Sequence, residues 1–189
     1  IVLTTVRGIH RIPISEYLLG VMLYFAKKVP TYEHFKQNKI WGNFESMDEL
    51  YGKTVGILGT GQIGRAIAFK AKVFGMTTLG VNRSGRDVEC FDNTYGLSEW
   101  EHILPHCDYV CGVLPSTPET KQLINRRTIE RMKDGLVLIN VGRGDLIVEQ
   151  DVIDAMQSGK IAGAALDVFE QEPLDDQNPL WNLDNVFIT

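Results

Sequence analysis

The hexapeptide Gly59-Thr60-Gly61-Gln62-Ile63-Gly64 stands directly after the apolar run Val55-Gly56-Ile57-Leu58. In that spacing the first glycine allows a tight turn, the second lets backbone amides approach a pyrophosphate, and the third lets a following helix pack on the strand. The N-terminus of that helix then faces the anion with free N–H groups. Alone the pattern is weak, and a glycine-rich turn without ligand is the alternative. Here the preceding strand, the following helical stretch and a second strand ending about twenty residues on all fit a dinucleotide site. Its candidate contacts are Gly59, Gly61, Gln62, Ile63 and Gly64.

The tip of the second strand decides which dinucleotide. An acid there would hydrogen-bond the adenosine ribose hydroxyls, whereas this chain reads Asn82-Arg83-Ser84-Gly85-Arg86. A neutral amide followed by Arg and Ser suits a 2′-phosphate held by charge-assisted bonds, so NADP(H) is expected in preference, with NAD(H) possible. A solvated basic turn is the competing reading. A further constellation is Leu138-Ile139-Asn140-Val141-Gly142-Arg143-Gly144-Asp145, an apolar strand running out into an arginine between two glycines. A guanidinium at that edge of an open sheet can clamp a carboxylate, so Arg143 is a substrate-anchor candidate. Another strand, Ala164-Ala165-Leu166, delivers Asp167, Glu170 and Glu172 to the same edge; solvation of a loop would also explain these acids.

These residues need a scaffold that brings several strand ends together. From Lys53 onward, short apolar strands at about 54–58, 77–82, 108–114, 136–141, 162–168 and 186–189 alternate with helical stretches, the mark of an α/β unit with a mainly parallel sheet. The helix after the glycine loop should place Ile63, Ile67, Ala71 and Phe74 on one face and stop at Gly75; another, about 149–158, should stop at Gly159. Residues 1–50 form a different region. Ser15 reads as an N-cap, Tyr17 to Ala26 as a helix apolar all round that must be buried on more than one side, either inside the domain or against another subunit, and Pro30 as its interruption. Tyr32 to Leu50, polar with Tyr32, Phe35, Trp41 and Phe44, reads as an irregular arm. The expected division is therefore 1–50 as leading segment, helix and dimerisation arm, and 51–189 as a dinucleotide-binding domain.

Composition narrows the classes. The 189 residues are 44% hydrophobic and 23% charged, enough to bury about 70% of the unfolded surface without staples. No tract of eighteen apolar residues marks a membrane span. Nineteen Lys and Arg against twenty-four Asp and Glu give a net charge of -5, which repels a phosphate backbone, so neither nucleic acid nor membrane is expected as a partner. Three cysteines, at 90, 107 and 111, make no disulfide framework or metal site, and Cys107 and Cys111 read as core. A reducing, cytoplasmic setting suits them. Ile1 and Thr189 both read as cut ends.

Taken together the motifs resemble the D-isomer-specific 2-hydroxyacid dehydrogenase family over nearly the whole chain. The matching pieces are Thr4 to Pro30, Gly52-Lys53-Thr54-Val55-Gly56, Leu114-Pro115-Ser116-Thr117-Pro118-Glu119-Thr120, Asn140 to Asp145, Gly159 to Pro173 and Asn178-Pro179-Leu180-Trp181. The resemblance implies a Rossmann-type doubly wound sheet within a two-domain enzyme. It also implies hydride transfer between NAD(P)H and a 2-keto or D-2-hydroxy acid of the glyoxylate or hydroxypyruvate kind, and a homodimer built on the first helix. It makes Arg143 the substrate-binding, carbonyl-polarising arginine, Glu172 the partner of a catalytic histidine, and Asp167 the holder of the nicotinamide carboxamide. Pro115, Thr120 and Val141 join Asn82, Arg83 and Ser84 as cofactor contacts. The histidine is expected in a Pro-His pair after Thr189, since His10, His34, His102 and His106 do not sit at that position. Without it, and without the flavodoxin-like substrate domain, these residues should bind dinucleotide but not turn over substrate. The rival reading is a dinucleotide-sensing dimeric binding protein of the corepressor type.

Overall fold

A computed structural model describes residues 8–41 and 47–189. Among the described residues seven strands form one sheet, every pairing parallel: β1 (Thr54–Leu58), β2 (Thr77–Asn82), β3 (Asn93–Gly96), β4 (Tyr109–Gly112), β5 (Leu136–Asn140), β6 (Ile161–Leu166) and β7 (Val186–Ile188), in the spatial order β3-β2-β1-β4-β5-β6-β7. The order reverses between β1 and β4, so loops from opposite halves of the sheet part there. That crevice at the carboxyl ends of the strands is where such sheets bind ligands.

Both faces are covered, which is why the central strands read as continuous apolar runs. On one face α1 (Arg11–Ala26) and α3 (Gln62–Val73) bury Val55, Ile57, Val137 and Ile139 with Ile67, Ala68 and Ala71. On the other, α4 (Arg126–Glu130), α5 (Glu149–Gln157) and the turn Trp100–His106 cover Leu58, Val110, Leu136 and Leu138. Gly75 and Gly159, at φ of +74° and +77°, end α3 and α5 as their spacing predicts. Cys107 and Cys111 are fully buried, and burial raises the Cys107 thiol to about 12 and pushes Cys111 up as well, so both behave as core.

Several expectations are corrected. Helix α1 begins at Arg11, with Pro13 in its first turn, where a missing N–H costs nothing. Ser15 is therefore no cap; it is buried inside the helix and its Oγ donates to the Ile12 carbonyl at 2.9 Å. Pro30 starts a helix rather than merely interrupting one: after Lys28, at φ +49°, it is the second residue of α2 (Val29–Gln37), so the arm is helical over its first part. Phe44 and Thr4 to Arg7 lie outside the described residues. Phe74 is 42% exposed because α3 ends at Val73, and Met76 turns inward instead. Strand β3, short, polar and at the sheet edge, adds a seventh strand to the six expected. The strands expected at 108–114 and 162–168 are shorter, since beyond Gly112 and Leu166 the chain leaves the sheet to form the site.

The apolar circumference of α1 is largely buried within this chain. Leu18 and Met22 are fully buried, Leu19 and Val21 nearly so, each worth about 1.5–3 kcal/mol. Phe25 packs over Gly163 of β6, where a Cβ would collide with its ring, and Tyr17 and Tyr24 meet Phe187 of β7 at centroid separations of 6.4 and 5.1 Å. The helix shares the core of residues 51–189.

Candidate dinucleotide and substrate site

At the end of β1 the three glycines do different physical work. Gly59 has φ +120° and presses on the backbone of Val113, so a side chain there is both strained and obstructed. A Cβ on Gly64 would collide with the Gly59 carbonyl, which fixes the approach of α3 to the turn. Over Gly61, the N-cap of α3, a Cβ would meet nothing within 4 Å. Tight turn, tight packing and one open position at a helix N-terminus are what an approaching pyrophosphate requires. Gln62 and Ile63 open the helix beside it, exposed and half-buried.

The tip of β2 forms a closed turn around Asn82. Its Oδ1 accepts from the Ser84 and Gly85 amides at 3.1 and 2.8 Å, and its Nδ2 donates to the Arg86 carbonyl at 2.9 Å. The side chain expected to touch ligand thus shapes the turn, and Arg83 and Ser84 are left projecting into solvent. Arg83 lies close enough to Glu119 to help hold that carboxyl below its usual range, behind the larger effect of the Thr117 hydroxyl and Glu119's own amide. The loop after β4 therefore faces the β2 turn. Within that loop Thr120 is buried, its hydroxyl donating to the Pro115 carbonyl at 2.7 Å and accepting from the Thr117 amide at 2.8 Å, while Pro115 is exposed.

Arg143 is held between two neighbouring loops. A Cβ on Gly142 would stand 2.9 Å from the Leu114 carbonyl, and one on Gly144 would collide with the Phe169 carbonyl, so both glycines let backbones close on the arginine from either side. Asn140, fully buried at the end of β5, donates from Nδ2 to the Arg143 carbonyl at 2.9 Å and accepts from the Gly142 amide at 3.2 Å. The guanidinium is exposed, with Nη1 donating to the Gly142 carbonyl at 2.7 Å. Ser116 donates to Asp145 at 2.6 Å and ties the β4 loop to this turn. Val141, half-buried, donates its amide to the Gly112 carbonyl at 3.1 Å.

From β6, Asp167 is exposed at the same edge, accepting at Oδ1 from the Thr189 hydroxyl at 2.9 Å. Glu172 is exposed further along, its Oε1 accepting from the Phe169 amide at 3.1 Å. The sheet thus brings Gly59–Gly64, Arg83, Arg143 and Asp167 to one edge. His34, by contrast, lines a cavity of about 980 Å³ with Lys53, Tyr109 and Lys133 at the amino edge. Volume alone would put the site there; the glycine loop, the helix N-terminus and the arginine are at the other edge, and chemistry outranks volume. Asn140, Ser116 and Asp145 lie within motifs legible in the sequence but carry no assigned role there, although an amide closing an all-apolar strand is a visible signal.

No helix among the described residues is long and apolar enough to cross a membrane, and no group of three or more His, Cys, Asp or Glu among them could hold a metal ion.

A D-isomer-specific 2-hydroxyacid dehydrogenase family protein from Aeromonas salmonicida superposes with a TM-score of 0.93 at 43% identity, over 99% of this chain and 60% of its own. An NADPH-dependent glyoxylate/hydroxypyruvate reductase from Sinorhizobium meliloti, solved with NADP and sulfate, superposes at 0.90 with 31% identity, over 98% of this chain and 60% of its own. Glyoxylate/hydroxypyruvate reductase B of Enterobacter sp. (strain 638) is 37% identical over 92% of this chain and 55% of its own length. The chain thus spans little more than half the length of these relatives. The model of the D-isomer-specific 2-hydroxyacid dehydrogenase NAD-binding domain matches residues 19–189, and the chain belongs to that family as its dinucleotide-binding domain.

Proposed function

We propose that the protein carrying this domain reduces a short 2-keto acid to the D-2-hydroxy acid, with NADPH preferred to NADH, as a homodimer. The observation that carries the reading is the open position over Gly61 at the N-terminus of α3, with the strand that leads to Arg83 on one side of β1 and the strand that leads to Arg143 on the other. When bound, the reduced nicotinamide supplies a hydride. The amides of Gln62 and Ile63 would hold the pyrophosphate, and Asp167 would accept from the carboxamide. Arg83 and Ser84 would meet a 2′-phosphate, where the absent acid at position 82 removes a repulsion of about 1–4 kcal/mol. Arg143 would bind the substrate carboxylate and polarise the keto oxygen. The proton would come from a histidine following Thr189, made more basic by Glu172. Relatives named for glyoxylate and hydroxypyruvate support a small substrate.

Titration of the whole protein with NADPH and NADH tests the preference, which is expected to be about tenfold to a hundredfold. Arg83→Ala should abolish it. Asn82→Asp is the less clean variant, because it also removes the bond from Nδ2 to Arg86. Equal binding of the two cofactors by the wild type would overturn the assignment of this turn. Reduction of glyoxylate or hydroxypyruvate by NADPH, lost in Arg143→Ala, tests the reaction.

For the homodimer, helix α2 buries none of its residues within the chain, and Trp41 beyond it is 97% exposed. Leu23, half-buried on α1, is the position to probe, whereas Leu19 belongs to the chain's own core. Light scattering should give a dimer mass for the wild type and a lower mass for Leu23→Glu.

A further inference from the structure

Beyond the residues assigned above, a side chain from α1 reaches the site. The Tyr17 hydroxyl lies 2.9 Å from Thr189 Oγ1, and Thr189 Oγ1 donates to Asp167 Oδ1, also at 2.9 Å. A threonine hydroxyl has one proton, and a carboxylate only accepts. With that proton committed to Asp167, the bond between Tyr17 and Thr189 must be donated by Tyr17. The relay therefore has a single direction, from Tyr17 to Thr189 to Asp167, across 172 residues of sequence.

We propose that Tyr17 is a positioning residue for the nicotinamide end of the site: through Thr189 it fixes the Asp167 carboxylate so that one oxygen is occupied and the other is presented to a ligand N–H. The proposal rests on the reading of Asp167 given above. Tyr17 and the bridging Thr189 are anchored independently. Tyr17 precedes the fully buried Leu18, and its ring meets Phe187. Thr189 is pinned to the sheet by its amide, which donates to the Leu166 carbonyl at 3.2 Å. Asp167 is an exposed residue just past the end of β6, free to turn without such a partner. Partial burial, together with the nearby Asp167 charge, raises the Tyr17 phenol against the opposing bond to Thr189, which keeps it a donor at neutral pH. A directed chain of hydroxyls is stiffer than its separate bonds, because each polarises the next.

The test compares two ligands on the full-length protein: NADPH, and 2′-phospho-ADP-ribose, which has the same adenosine and pyrophosphate but no nicotinamide. Tyr17→Phe should weaken NADPH about three- to tenfold and leave the fragment's affinity unchanged. Thr189→Val should do the same, Thr189→Ser should restore wild-type binding, and the Tyr17→Phe/Thr189→Val pair should be no worse than Thr189→Val alone. If Tyr17→Phe alters both ligands equally, or neither, the relay does not position Asp167 and the proposal is overturned. If the wild type binds neither ligand, the dinucleotide reading of the glycine loop fails first and takes this one with it. A purely structural role for Tyr17 would lower the melting temperature without moving the ratio of the two affinities, and that result also overturns it.

Discussion

Asn140 is a polar side chain with no exposed surface, and both halves of its amide are used on the turn that carries Arg143. Removing it leaves the buried Gly142 N–H without a partner, at a cost of about 1–3 kcal/mol, and the Arg143 carbonyl with only the Leu146 amide at 3.2 Å. Asn140→Ala should lower the unfolding free energy by about 2–3 kcal/mol in urea denaturation and weaken substrate binding, although the residue need touch no ligand. Asn140→Asp should be worse, since a carboxylate can accept from Gly142 but cannot donate to Arg143. Residue types and spacing placed Arg143, Asp167 and the glycine loop at one edge, because their neighbours form strands whose ends must meet there. The same spacing could not tell that Asn82 and Thr120 turn their polar atoms back on their own loops. That choice depends on which backbone groups the folded loop leaves unpaired, and those are fixed only by tertiary structure.

At the scale of elements, β3 is a four-residue edge strand, and Asp92 immediately before it anchors it. Its Oδ2 accepts from the Thr78 amide and hydroxyl at 2.8 and 2.9 Å, and its Oδ1 pairs with Lys72 at 2.9 Å. Burial pushes this carboxyl up, but Lys72 and Thr78 outweigh it and hold it below the usual range. A depressed folded value contributes stability above the unfolded value of about 3.9, lost as pH falls through the lower folded value. Asp92→Asn should therefore cost about 1 kcal/mol at pH 7 by urea denaturation, and the difference from wild type should vanish at sufficiently acid pH. The strand escaped the sequence because Asn93-Thr94-Tyr95-Gly96 is too short and too polar to show alternation. Helix α2 escaped for another reason: a proline reads equally as the end of one helix or the first turn of the next, and Lys28 at positive φ decides between them.

For the molecule as a whole, cores on both faces of the sheet and a complete glycine loop lead to a separation of binding from turnover. NADPH at about a hundred times its dissociation constant should stabilise these 189 residues by about 2.7 kcal/mol, a rise of about 5–11 °C in melting temperature. The same sample should not oxidise NADPH when glyoxylate is added, because Arg143 stands at an exposed edge and the proton is proposed to come from a histidine that these residues do not include. Calorimetry and absorbance at 340 nm check the two halves. The parallel sheet and its alternating helices were legible from apolar runs and glycine stops; the union of α1 with the same core was not, since a helix apolar all round does not say what it packs on.

That union has a consequence for how the chain is made. Helix α1 is synthesised well before the surfaces it docks on: Val137 and Ile139 of β5, Gly163 of β6 and Phe187 of β7 are about 110 to 160 residues further along, roughly 6 to 30 s of synthesis. During that interval Leu18, Leu19, Met22 and Phe25 form a sticky segment waiting for its seat, the kind of stretch that holdase chaperones and proteases recognise. Nascent chains stalled before β5 emerges should be cut by an added protease between Tyr17 and Ala26, and chains stalled well past β7 should resist. Helix α1 is in this sense among the last pieces to join this core.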